Sequence, residues 1–167
     1  MDTVLAVNHA SEERAAAMLV KKYLTFVLQG EEYGVEILKV REIISIMNIT
    51  PVPRVPDYIK GVINLRGKVI PIVDLRSKFG LKEAGHTNET CIIVVEVNGT
   101  LTGIVVDTVS EVLDISGEQL EQSPHFGDKV NTDIFIGMAK IKDTVKILLD
   151  IDKVLGTDGI HAIANRI

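Results

Sequence analysis

Short apolar runs rich in Val and Ile, broken by glycine, asparagine or charge, dominate this chain. Tyr23–Gln29 is nearly continuous in apolar residues, Gly30-Glu31-Glu32 turns it, and Tyr33–Ile37 returns, which predicts a hairpin. Leu38–Ile46 sets Val40, Ile43 and Ile44 at helix-like spacing, although their β-branched side chains equally allow a strand. Asn48–Tyr58 holds Pro51, Pro53 and Pro56, and proline restrains both itself and its predecessor, so an extended surface loop is expected. That loop delivers the chain to Lys60–Gly80, the stretch around which the rest is organised. Two strands, about Val62–Leu65 and Lys68–Val73, flank a turn tipped by Arg66 and Gly67, the glycine supplying a positive φ without steric cost. Pro71 cannot donate to a ladder, so its strand is expected at an edge or bulged there. Asp74 stands where a helix cap belongs, ahead of Leu75, Lys78 and Phe79, and Gly80 is a stop.

This stretch recurs. At a shift of 76, Gly61 falls on Gly137, Val69 on Val145, Asp74 on Asp150 and Gly80 on Gly156. At a shift of 69, Gly30 falls on Gly99, Gly34 on Gly103, Val40 on Val109 and Glu42 on Glu111. Two blocks matched in the same order imply a tandem duplication of one small β unit. In the second copy Thr90–Val97 and Thr100–Val106 flank Asn98-Gly99, a strong type I′ hairpin signal. Asp107–Leu113 matches Leu38–Ile44, and Ser116–Gln119 resembles a capping box. Gln122–Asp133 is a loop, Ile134–Ile141 and Thr144–Leu149 are strands, and Asp150 caps a short helix. The expected units are an arm with a Ser11-capped helix (1–22), a first lobe (23–84), a second lobe (85–156) and a tail (157–167). Leu81–Glu89 is the polar linker between lobes. The tail carries apolar positions at Ile160, Ile163 and Ile167.

Composition narrows the function more by exclusion. Net charge is −5 with a pI of about 5.4, against the basic surface that nucleic acid requires. No apolar run approaches the ~20 residues of a membrane span, and the N-terminus is a poor signal peptide. The single cysteine, Cys91, opens an apolar strand, as a cytoplasmic protein would have it. There is no glycine-rich phosphate loop and no pair of metal-ligand spacing. His9, His86, His125 and His161 all fall in arms, linkers, loops or tails, and Cys91 lacks an activating base. Asp74 and Asp150 are equivalent caps rather than paired catalytic carboxylates. Neither an enzyme nor a cofactor is expected. Each lobe offers four or five strands, too few for a ligand-sized interior. Arg66 is set apart, because the second copy has Lys140-Ile-Lys-Asp143 where the first has Asn64-Leu-Arg-Gly67. An arginine at a hairpin tip beside an apolar edge suits a protein contact.

Tyr33–Ile43, Lys60–Leu75 and Gly103–Val112 closely resemble the CheW family of bacterial chemotaxis coupling proteins, and the resemblance spans about Tyr23 to Gly156. It implies a mostly β fold of two SH3-like five-stranded barrels packed on a shared core, with short helices. It further implies a non-enzymatic cytoplasmic adaptor that joins membrane-associated receptor arrays. The implied partners are the cytoplasmic tip of the chemoreceptors, bound in the groove between barrels, and the regulatory domain of the histidine kinase CheA, bound through barrel surfaces that no short motif marks. Carried over by motif, the receptor-facing residues are Val40, Glu42, Ile43, Gly61 and Arg66. Alternatives are a CheW-like module of a surface-motility or other chemosensory pathway and, more remotely, a small-ligand-binding barrel.

Overall fold

The computed structural model describes residues 19–121 and 133–156. The first half of the chain runs β1 (Val20–Leu28), β2 (Glu31–Glu36), a 3-10 turn (Ile37–Lys39), β3 (Val40–Ser45), β4 (Ile59–Leu65), β5 (Lys68–Asp74) and α1 (Leu75–Lys78). The second half runs β6 (Cys91–Val97), β7 (Thr100–Val106), β8 (Thr108–Ser116), a 3-10 turn (Gly117–Gln119) and β9 (Leu120–Glu121). It ends with β10 (Phe135–Ile141), β11 (Thr144–Leu149) and α2 (Ile151–Val154). The Ser11 helix up to Met18, most of the Gln122–Asp133 loop and the tail beyond Gly156 lie outside the described residues.

Four hairpins use turns with both central residues at positive φ: Gln29-Gly30 (49° and 79°), Arg66-Gly67 (51° and 85°), Asn98-Gly99 (52° and 76°) and Lys142-Asp143 (50° and 67°). This is the type I′ geometry, whose twist matches that of the strands it joins. Both helices are single turns capped as expected. Asp74 Oδ1 accepts from Arg76 N at 2.9 Å, and Asp150 Oδ1 accepts from Lys153 N at 3.3 Å. At Ser116 the backbone N–H donates to Gln119 Oε1 at 2.9 Å. The ambiguous Leu38–Ile46 stretch resolves into the 3-10 turn and β3, the β-branched preference prevailing.

The strands form a six-stranded sheet, ordered β8-β1-β2-β11-β10-β9, and a five-stranded sheet, ordered β3-β6-β7-β5-β4. Replacing each strand of the first by its repeat equivalent reproduces the second, β9 aside. Registers agree as well. Leu148 pairs with Gly34 in the parallel β11–β2 contact, as Ile72 pairs with Gly103 in β5–β7. β9 also has a counterpart, because Glu121 pairs with Met138 as the isolated bridge of Thr50 pairs with the equivalent Val62. In each lobe the chain leaving one edge strand crosses to bond the opposite edge and closes the sheet on itself.

A boundary near residue 84 separates the copies of the repeat, yet each sheet draws on both. The β1–β2 hairpin joins β8, β10 and β11, while β6–β7 joins β3, β4 and β5. Each half of the chain therefore lends its leading hairpin to the other. Pro71 is corrected by the same topology. Its strand, β5, lies between β7 and β4 rather than at an edge, and the bulge is in β4, between Ile59 and Gly61. Pro71 is tolerated because it faces Val62, whose N–H and C=O bond Thr50 instead (2.9 and 2.8 Å), and the ladder to β7 begins only at Ile72.

Three apolar clusters follow from this arrangement. One lies inside the five-stranded lobe and includes Ile63, Ile70, Ile72, Ile92 and Val94. A smaller one, Tyr23, Ile115, Ala139 and Leu148, fills the other lobe. The largest joins Leu24, Phe26 and Leu149 of one sheet to Val73, Ile93 and Ile104 of the other. Each such aliphatic side chain contributes about 1.5–3 kcal/mol when removed from water, so the shared core binds the lobes into one unit.

Candidate functional site

β3 is an edge strand whose side chains would alternate strictly in regular pairing, sending Val40 and Ile43 to opposite faces. A bulge at Arg41 shifts the register: Val40 pairs with Val95, whereas Glu42 pairs with Val94 and Ile43 with Ile93. Opposed residues share a face, and Val95 and Ile93 both belong to the shared core. Val40 and Ile43 therefore lie together on the face turned toward the other lobe, Val40 half-buried and Ile43 45% exposed. The helix-like spacing in the sequence is the signature of this bulge. Glu42 and Ile44, opposite Val94 and Ile92, turn to the interior of their own lobe.

Glu42 meets Arg66 there. The hairpin tip places the guanidinium against the carboxylate in a two-pronged contact, Nη1 to Oε1 at 3.2 Å and Nη2 to Oε2. Glu42 holds the Arg66 guanidinium more firmly charged than usual, through this bond first and its charge second. Asn64 Oδ1 accepts from Gly67 N at 2.9 Å and fixes the tip. Arg66 keeps 69% of its side chain exposed, Glu42 31%. Beneath the pair opens a hollow of about 230 Å³, walled by Leu65, Ile70, Val94 and Leu101 and rimmed by Arg41 and Lys68. Arg41 in turn pairs with Glu96.

Gly61 belongs to a different layer. It is buried with φ at 140°, and a Cβ there would stand 2.0 Å from the Thr50 carbonyl oxygen. Its part is to let the Thr50–Pro51 crossing lie directly on β4. Gly137 does the same beneath Glu121, 2.7 Å from an added Cβ. Of the five residues singled out in the sequence, Val40 with Ile43 and Glu42 with Arg66 are thus brought together as two adjoining pairs, and Gly61 supports the crossing below.

Sequence reasoning missed the walls of the hollow, although the repeat carries the signal. The counterparts of Val94, Ile70 and Leu101 are Thr25, Lys146 and Glu32. In the six-stranded lobe Lys146, 5% exposed, pairs with Glu32, and the buried Thr25 hydroxyl donates to Glu111 O at 2.9 Å. One mouth is apolar beneath an ion pair, and the other is filled by polar contacts. No cluster that could hold a metal ion occurs among the described residues, and none of their helices is long and apolar enough to cross a membrane. Cys91 is half-buried, and burial pushes its thiol above the ordinary range, away from nucleophilic use.

Comparisons with known proteins bear on the family and the fold. Residues 22–158 match the family model for the CheW-like domain. The chain is 39% identical over 145 residues to the chemotaxis protein CheW of Klebsiella aerogenes, covering 87% of each chain. It is 34% identical over 136 residues to CheW of Bacillus subtilis, covering 81% of this chain and 86% of that one. Among solved structures, the scaffolding protein TtCheW from Thermoanaerobacter tengcongensis superimposes with a TM-score of 0.76 at 35% identity, over 84% of this chain and 96% of the other.

Proposed function

The chain belongs to the CheW-like family, and from that premise we propose that this chemotaxis adaptor couples the cytoplasmic tips of chemoreceptors to the regulatory domain of the histidine kinase CheA. It works without catalysis, and it is cytoplasmic, recruited to receptor arrays at the membrane. The observation that carries the receptor site is the pairing of Glu42 with Arg66 at a lobe mouth beside the exposed Ile43. A helical tip presents apolar side chains flanked by charge. Ile43 and Val40 meet the first, while the Arg66–Glu42 pair selects among the second. Gly61 acts through backbone position, by letting the Thr50–Pro51 crossing lie directly on β4. A small-ligand barrel is disfavoured, because side chains fill both lobe interiors.

The test is binding of the full chain to a receptor-tip fragment and, separately, to the kinase regulatory domain. Both should bind saturably. Arg66→Glu should lower receptor affinity roughly tenfold or more, leaving kinase affinity and the unfolding midpoint unchanged. A folded variant with undiminished receptor affinity overturns the site. Folded wild-type protein that binds neither partner overturns the function.

A further inference from the structure

The two lobe mouths hold similar charges at different depths. In the six-stranded lobe Lys146 and Glu32 pair inside the mouth, the lysine side chain 7% exposed, so that lobe is sealed by its own chain. In the five-stranded lobe the same positions are Ile70 and Leu101. There the ion pair stands at the rim instead, where Arg66 keeps 69% of its side chain exposed. What this leaves is the apolar hollow of about 230 Å³. Its Ile70 and Val94 are buried, and its Leu65 and Leu101 stay partly open. An apolar cavity of roughly 150 Å³ stays dry and takes up benzene. The hollow therefore has room for one leucine or phenylalanine side chain.

The rim adds a second demand. A guanidinium has more N–H donors than one carboxylate takes up, and Arg66 spends only Nη1 and Nη2 on Glu42. Lys68, the first residue of β5, is exposed and enters no ion pair among the described residues. With Arg41 matched by Glu96, and Arg66 by Glu42, Lys68 leaves the rim a surplus of positive charge in a chain whose net charge is −5. Such a rim favours a partner that brings a carboxylate beside its apolar side chain. On a helix two such residues share a face when they stand three or four apart. We propose that one side chain of the receptor tip, of leucine or phenylalanine size, seats in this hollow, and that a carboxylate one helical turn away binds Lys68 and the spare donors of Arg66. This anchor presupposes the receptor site proposed above, which lies alongside it on β3.

The test seals the first mouth with the residues of the second. The double substitution Ile70→Lys/Leu101→Glu in the full chain should lower affinity for a helical-hairpin fragment of a chemoreceptor tip roughly tenfold or more. Affinity for the kinase regulatory domain should stay unchanged. Lys68→Glu should weaken fragment binding about threefold at low salt and less at high salt. The unaltered chain gives a reading that needs no variant to fold. On titration with the fragment, the methyl groups of Ile70 and Leu101 should show nuclear Overhauser contacts to one of its apolar side chains. A folded, sealed variant with undiminished affinity overturns the anchor, and so do methyl groups that make no contact at saturation. Fragment binding that still depends on Arg66 then leaves the receptor site standing. Methyl contacts made with the kinase domain instead also overturn the anchor, and undiminished affinity in Lys68→Glu overturns its carboxylate contact. Folded wild-type protein that binds no tip fragment overturns both anchor and site.

Discussion

At the scale of single residues, the duplication acts as an internal control. Thr25 and Val94 occupy the same place in the two copies, yet only the first must serve a backbone that has lost its ladder partners. Its hydroxyl donates to Glu111 O and accepts from Glu111 N at 3.2 Å, bridging the break in register beside Leu24. Thr25→Val keeps the shape and removes that bridge. Urea denaturation should show a loss of about 1–3 kcal/mol, the cost of leaving these part-buried backbone groups without their partner. Arg66 contrasts with this. On the receptor site proposed above, Glu42→Arg should weaken receptor binding as Arg66→Glu does, and the double exchange should restore part of it.

At the scale of elements, the crossings on β4 and β10 explain two glycines that a motif alone marks as important without saying how. Gly61→Ala forces a methyl group into the Thr50 carbonyl and an alanine into a φ of 140°. It should lower stability by about 2 kcal/mol or more, and it should weaken receptor binding only through displacement of Thr50 and the neighbouring hairpin. Hydrogen exchange at Val62, whose amide bonds Thr50, reads that displacement directly. The elements themselves were largely legible in the sequence, since Asn-Gly and Arg-Gly turns, aspartate caps and apolar runs all act locally. The exceptions have one cause. The two-residue strand β9, the bulge at Arg41 and the central place of Pro71 depend on what lies across from them, and no local propensity encodes a partner.

At the scale of the whole molecule, two features tie the lobes. Arg76 of α1 bonds Asp107 at 2.7 and 2.5 Å, and Asp107 also accepts from Gln29 N at 2.9 Å, pinning the exchanged β1–β2 hairpin. Lys39 and Asp152 form the related contact at the other end with the charges reversed. The Arg76 hydrogen bond, foremost, holds the Asp107 carboxyl below its usual range. A depressed carboxylate stabilises above its unfolded pKa, and that stability is lost as pH falls through the folded value. Asp107→Asn should therefore be less stable by about 1–2 kcal/mol at neutral pH. The gap to wild type should close on acidification below about pH 4. The exchange of hairpins makes a stronger statement. Residues 1–84 and 85–167, produced separately, each lack strands that their sheets require, so each should be unfolded alone. Mixed, they should recover the β circular dichroism and cooperative melting of the intact chain. A half that folds alone would contradict the strand order.

The sequence by itself determined the duplication, the β class, the hairpins and their turns, the caps, and the family to which the chain belongs. These follow from spacing and from backbone preferences that act over a few residues. The resemblance also directed attention to Val40, Glu42, Ile43, Gly61 and Arg66. Only the tertiary structure decided that the leading hairpins are exchanged between halves and that a bulge brings Val40 and Ile43 to one face. It alone paired Glu42 with Arg66 over an apolar hollow and buried Gly61 beneath a crossing strand. Each of these depends on contacts between segments far apart in the chain, where shape and burial decide among pairings that local sequence leaves equivalent.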